Sequence, residues 1–136
     1  MNSELPQYGQ GAATFNAVGK LTGLKRLVTD FYKLMQENPK YSRIREMHPN
    51  NLTLSVDKLV CFLSGWMGGE ALYQKKYGGG GMPKAHMHLK ISLIERDLWL
   101  ACMREALEKQ NYPDSLIEYL MTQLAVPAER IRQACL

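Results

Sequence analysis

Along residues 22–37, TGLKRLVTDFYKLMQE, the apolar side chains Leu24, Leu27, Val28, Phe31, Tyr32 and Met35 recur at i, i+3, i+4, i+7, i+8 and i+11. That spacing draws one continuous helical face. Thr22 is placed to cap the helix start, and Pro39 to prevent its continuation. A second helix is predicted over about 55–67, opening at Ser55 with Asp57 in its first turn and ending at Gly68 and Gly69. Val56, Leu59, Val60, Leu63 and Met67 form its inward stripe, flanked by Phe62 and Trp66. SLIE at 92–95 has the form of a capping box, in which Ser92 and Glu95 satisfy each other's backbone amides. The helix it opens runs to about 109, with Leu98, Ala101, Cys102 and Ala106 on one face and Trp99 beside it. Two shorter helices follow at about 113–124 and 127–135, each with a proline in its first turn. No segment alternates long enough for a sheet and no repeat of 20–50 residues is present, so the chain reads as all-α. Residues 1–21 form a lead-in without sustained period, and 68–91 an irregular middle segment.

At 136 residues this is most simply one domain, 1–136, with 1–13 a loosely ordered extension. A chain of that length buries about two-thirds of the surface its unfolded form exposes, so a core forms without staples. No apolar run reaches the length of a membrane span, and the N-terminus lacks a basic region followed by an apolar one, so a cytoplasmic protein without membrane association is expected. Cys61, Cys102 and Cys135 are odd in number, widely separated and free of any CxxC spacing, which fits reduced thiols. The net charge of +4 is scattered, with Lys75 and Lys76 the only adjacent lysines, and describes a mildly basic surface rather than a nucleic-acid interface.

The chemistry concentrates in GGGGMPKAHMHLKI, residues 78–91. Four helical glycines would each cost about 0.5–1 kcal/mol relative to alanine, so 78–81 is a loop. A phosphate cradle is excluded, because Pro83 precedes Lys84 and Ala85 follows it. His86 and His88 could share one face only on extended backbone, and no thiolate or carboxylate stands at zinc-ligand spacing nearby. On spacing alone the pair is better explained by exposed or incidentally packed histidines, because a lone HxH is a weak signal. Tyr32 and Trp99 are either core aromatics or two donors aimed into a cavity. Neither a nucleophile elbow nor an acid and base pair is present, so catalysis would need a cofactor.

Five pieces, FY at 31–32, MHP at 47–49, FLSGWMGGEALYQKKYG at 62–78, a histidine nine residues after Tyr77, and ISLIERDLWLACM at 91–103, together resemble the group II truncated haemoglobins. The resemblance covers about residues 14–125 and implies a two-over-two helical sandwich around haem b, iron protoporphyrin IX. Gly19, Gly68 and Gly69 stand at the family's glycine turns. His86 matches the proximal iron ligand, nine residues after Tyr77 and nine before Glu95, whereas His88 keeps neither spacing. Tyr32, Trp99 and His48 match the distal groups that hold a bound gas, and Ser55 and Leu59 the distal-helix positions facing it. Phe62, Leu63 and Met82 match apolar neighbours of the haem plane, and Lys58 and Tyr73 propionate contacts. Departures are Ala85 in place of an arginine, which leaves that contact to Lys84, Glu70 in place of a proline, and Lys20 in place of a second glycine.

The implied activity is binding of O2, NO, CO, peroxide or sulfide at a five-coordinate iron, with an electron donor as partner. Such a pocket suits redox or detoxifying chemistry, NO dioxygenase-like or peroxidase-like, better than bulk oxygen transport. A gas sensor and a haem-free helical interaction module are the alternatives, and the resemblance is compatible with a monomer or a homodimer.

Overall fold

The computed structural model describes residues 7–78, 86 and 89–136. Gly79 to Gly81, Met82, Lys84, Ala85 and His88, all singled out above, lie outside the described residues. The helices are α1 (Ala13–Ala17), α2 (Lys20–Glu37), α3 (Ser42–Arg45), α4 (Thr53–Trp66), α5 (Leu72–Tyr77), α6 (Leu93–Glu108) and α7 (Asp114–Ala134), with a 3-10 turn at Pro39–Tyr41. No strand occurs among the described residues, as the periodicity requires.

Two packed pairs make the frame: α2 packs on α4, α6 packs on α7, and α2 meets α6 between them. This is the two-over-two arrangement. Leu24, Leu27, Val28, Phe31, Tyr32 and Met35 of α2 are all buried, so the stripe read from the sequence is the face that α4 and α6 cover. Leu59, Val60, Leu63 and Met67 are buried likewise, while Val56 is only partly covered. On α6 the buried stripe is Cys102, Met103, Ala106 and Leu107. Ala101 is exposed, a correction of about one helical position to the expected face.

Three helix starts and ends differ from expectation for local reasons. Helix α2 begins not at Thr22 but after Gly19, whose φ of 97° is left-handed, and Lys20 follows with φ 59°. Helix α4 opens at Thr53 because Asn51 Oδ1 accepts from the Thr53 amide at 2.9 Å. Ser55 and Asp57 therefore lie within the helix and are available for other work. Residues 114–134 form one helix, not two, with Pro127 inside it. Proline there removes one backbone bond and crowds the preceding turn. Packing carries the helix through: Leu116, Ile117, Leu120 and Leu124 are buried, and Glu129 beyond the proline accepts from Arg96 of α6 at 2.6 Å.

The supposed irregular regions contain short helices, α1 and α5, and α1 meets the end of α4 through a close backbone approach. Phe15 donates its amide to the Met67 carbonyl at 3.0 Å, and a side-chain carbon on Gly68 would sit 1.9 Å from the Gly11 carbonyl oxygen. Gly68 also has φ 94°, so two independent constraints require glycine there. The expected capping box is present: Ser92 accepts from the Ile94 amide at 3.2 Å, and Glu95 from the Ser92 amide at 2.6 Å.

Candidate functional site

A cavity of about 240 Å³ opens between the two helix pairs. Its wall takes Tyr32 from α2, His48 from the segment after α3, Ser55, Lys58, Leu59 and Phe62 from α4, Tyr73 from α5, Trp99 from α6, and His86. Nine residues separated by up to 67 positions in sequence thus share one space. Leu63 does not join them; it is fully buried in the core cluster.

Helical spacing explains the convergence on α4. Ser55, Lys58, Leu59 and Phe62 fall at i, i+3, i+4 and i+7, a cavity stripe next to the core stripe of Leu59, Val60 and Leu63. Phe31 anchors the aromatic corner, with its ring 5.0 Å from that of Tyr32 and 5.2 Å from that of Trp99, both edge-on. Such geometry places the ring edges against the faces of their neighbours and holds both polar rings in place.

Tyr32 is 7% exposed, and burial, reinforced by Cys102, pushes its phenol pKa well above the ordinary range. It remains a protonated donor at any relevant pH. Among the described residues neither Tyr32 Oη nor Trp99 Nε1 has a hydrogen-bond partner. Two donors on a mostly apolar wall without protein acceptors are suited to a small acceptor in the cavity.

His48 packs edge-on to Tyr32, ring centres 5.5 Å apart, and its Nδ1 lies 2.9 Å from the Ile44 carbonyl oxygen. A carbonyl only accepts, so Nδ1 carries the proton, and in the neutral ring Nε2 is an acceptor. Burial lowers the His48 pKa below its ordinary value, with smaller contributions in the same direction from His86 and Arg45; the Ile44 bond opposes them. His48 is therefore neutral near pH 7.

Lys58 holds its ammonium 5.4 Å from the centre of the Tyr77 ring and has no carboxylate partner among the described residues. Tyr77 is itself fixed by donating to Asp57, which also binds Lys76 at 3.2 Å. The Tyr73 and Tyr77 rings are 5.2 Å apart, so α5 brings a phenol to the part of the wall where Lys58 of α4 holds its cation.

His86 is helical and half-buried, and its carbonyl accepts from the Leu89 amide at 2.9 Å and from the Cys135 thiol at 3.0 Å. All three cysteines are free thiols, as their spacing led us to expect. No cluster of three metal-ligating side chains occurs among the described residues.

Sequence reading missed Ile44, Met47, Leu89, Ile91, Glu95 and Arg96 as wall residues, and also the contribution of α7. Leu124, Pro127, Ala128 and Ile131 are spaced i, i+3, i+4 and i+7 and line the cavity together. The signal was present, but it is visible only when the helix is read through Pro127.

Over residues 13–133 the sequence matches the family described as bacterial-like globin. A group 2 truncated haemoglobin of Bacillus subtilis (strain 168) is 27% identical over 119 residues, spanning 88% of this chain and 87% of the relative. Among solved structures, the cold-adapted truncated haemoglobin of Pseudoalteromonas haloplanktis is 28% identical with a TM-score of 0.82, covering 87% of this chain and 95% of that one. The group II 2-on-2 haemoglobin of Agrobacterium tumefaciens is 29% identical with a TM-score of 0.82, covering 88% and 92%. A truncated oxygen-avid haemoglobin from Bacillus subtilis is 27% identical with a TM-score of 0.76, covering 87% and 97%.

Proposed function

This chain belongs to the bacterial-like globins, a haem-binding family, and from that premise we propose that it holds haem b through His86 and retains O2, NO or another small gas beside Tyr32 and Trp99. Haem, when bound, would supply an iron able to coordinate a histidine nitrogen and a small gas. The residues present fit that group: a histidine, apolar walls at Leu59, Phe62 and Ile131, and a cation at Lys58 all face one cavity. Lys58 and Tyr73 serve the propionates. Haem contacts for Met82 and Lys84 and the exclusion of His88 from iron belong to the same reading.

The observation that carries the proposal is the pair of unpartnered donors, Tyr32 Oη and Trp99 Nε1, in the cavity that also contains His86. Ser55 is too small to reach far into the space, so retention falls to these two groups. Each neutral hydrogen bond contributes about 0.5–1.5 kcal/mol net, or about 2- to 10-fold in release rate. A slowly released ligand suits redox chemistry with O2, NO or peroxide, supplied by an electron donor, better than bulk transport. The oxygen-avid relative from Bacillus subtilis is in keeping with retention.

The test is stopped-flow O2 dissociation from the native protein and from Tyr32→Phe and Trp99→Leu, with absorption spectra of His86→Ala and His88→Ala taken alongside. Each pocket variant should release O2 about 2- to 10-fold faster. The normal globin spectrum should be lost with His86→Ala and kept with His88→Ala. Equal release rates across the series would remove the retention reading, and the reverse pattern of spectra would remove His86.

A further inference from the structure

Arg43 does not line the cavity, yet its pairing with the wall residue Glu95 joins the backbone that anchors His48 to the helix that carries Trp99. Glu95 is 5% exposed and lies in the first turn of α6, one helical turn before Trp99. Its two oxygens have separate tasks. Oε1 accepts from the Ser92 amide and hydroxyl in the capping box, and Oε2 accepts from Arg43 Nε. The capping box therefore fixes the carboxylate before Arg43 engages it, unlike an ordinary surface pair between two mobile side chains.

On the other side, Arg43 is adjacent to Ile44, whose carbonyl accepts from His48 Nδ1. Ile44 and His48 both face the cavity, as do Glu95 and Trp99. A second tie holds the same segment farther along α6: Glu105 accepts from the Tyr41 hydroxyl and pairs with Lys40 at 3.5 Å. The stretch from 40 to 48 is thus hung from α6 at two points, ten residues apart on that helix. The tie nearer the cavity is Arg43 with Glu95.

We propose that Arg43 and Glu95 are positioning residues that set the His48 ring over the gas site relative to Trp99. The proposal rests on the haem reading for its effect on gases, but not for its effect on the His48 ring. Breaking the pair lets the segment from Arg43 to His48 move away from α6, opening the cavity beside Tyr32 to water and easing gas escape. Because the influence passes through His48, it disappears when that ring is replaced.

Three readouts on full-length protein test this. In Arg43→Met, O2 release should be about threefold faster or more, whereas in a His48→Phe background the same substitution should change it by less than about 1.5-fold. Glu95→Gln retains the acceptor of the capping box and loses the charge, so it should reproduce Arg43→Met, and combining the two should add little. Arg43→Lys should restore most of the native rate. The infrared C–O stretching band of the carbon monoxide complex should shift or broaden in Arg43→Met and be identical in His48→Phe with and without it.

The third readout does not depend on a gas release rate: the His48 ring protons, followed by NMR in reduced protein under carbon monoxide, which is diamagnetic with or without haem. In Arg43→Met their titration should move up toward the ordinary histidine value as the ring leaves its buried place. An unchanged titration, or equal effects of Arg43→Met in the native and His48→Phe backgrounds, would overturn the positioning role even if the variant melted earlier. Absence of a Soret band in the native protein would instead remove the haem reading, and the NMR titration would still decide the role of the pair.

Discussion

At the scale of single residues, His48 shows most clearly what a letter in a sequence lacks. Its resemblance to a distal position was legible in MHP, but the direction of its protons depends on the Ile44 carbonyl four residues earlier. With Nδ1–H committed there, neutral His48 presents an acceptor and cannot donate to a gas, so near pH 7 donation is left to Tyr32 and Trp99. Protonation reverses this by adding Nε2–H. Since burial lowers the native pKa below the ordinary histidine value of 6.5, that change comes only on the acid side of it. O2 release should therefore be flat above neutrality and become slower as pH falls below about 6.5. Stability should change as well. Between 6.5 and the lower native value the unfolded chain takes up a proton that the folded chain resists, so His48 erodes stability as pH falls and has no effect above that window. The groups around it are Arg45 and Tyr32 beside the ring and His86, Lys58, Glu95 and Arg96 elsewhere on the cavity wall. The His48→Phe variant isolates its share: both slopes, in stopped-flow release and in denaturant midpoints against pH, should flatten. Persistence of the release slope in that variant would assign it to another group. Tyr32 and Trp99 were recognisable as residues, but whether they were satisfied in the core or unpartnered in a cavity depends on which carbonyls and side chains lie nearby, and these come from other elements.

At the scale of elements, what local periodicity controls was readable and what tertiary packing controls was not. The stripe of α2 and the capping box of α6 follow from residues within one or two turns. The start of α4 depends on Asn51, outside the predicted helix, and the continuity of α7 on Glu129 reaching Arg96 thirty-three residues earlier. The junction before α2 shows the same division. Gly19 was expected at a turn, and it adopts φ 97°, but Lys20 beside it is also left-handed at φ 59°, where the resemblance leads one to expect glycine. A side chain in that region costs on the order of 1 kcal/mol, partly recovered on substitution because glycine also loosens the unfolded chain. Lys20 is exposed and makes no ion pair among the described residues. Lys20→Gly should therefore raise stability, by up to about 1 kcal/mol, seen as a higher urea midpoint at unchanged slope. A lower midpoint would mean that this turn is not strained and that the lysine stem contributes packing.

For the whole molecule, the two helix pairs are unequally held. Helix α2 is covered by both α4 and α6, so its buried stripe is secured by protein on two sides. Helix α7 packs mainly on α6, through residues Leu116 to Leu124, and its later turns turn Pro127, Ala128 and Ile131 toward the cavity. That half also contains a proline that weakens its own backbone ladder. Beyond the proline, its hydrogen-bonded ties to other elements among the described residues are Glu129 with Arg96 and the Cys135 thiol on the His86 carbonyl. The second of these leads directly to the residue proposed for iron. Filling the cavity with haem should thus stabilise the molecule by mass action and, more locally, add apolar contact to Pro127, Ala128 and Ile131 on its wall. Extraction of haem should lower the melting temperature and speed amide exchange most in 127–135 and around His86. The interface of α2 with α4 and α6 should remain the best protected. Hydrogen exchange with mass spectrometry on loaded and extracted protein measures this difference, segment by segment. Uniform loss of protection across all helices would mean that haem and core fold as one unit, and that α7 is not the element the cofactor holds in place.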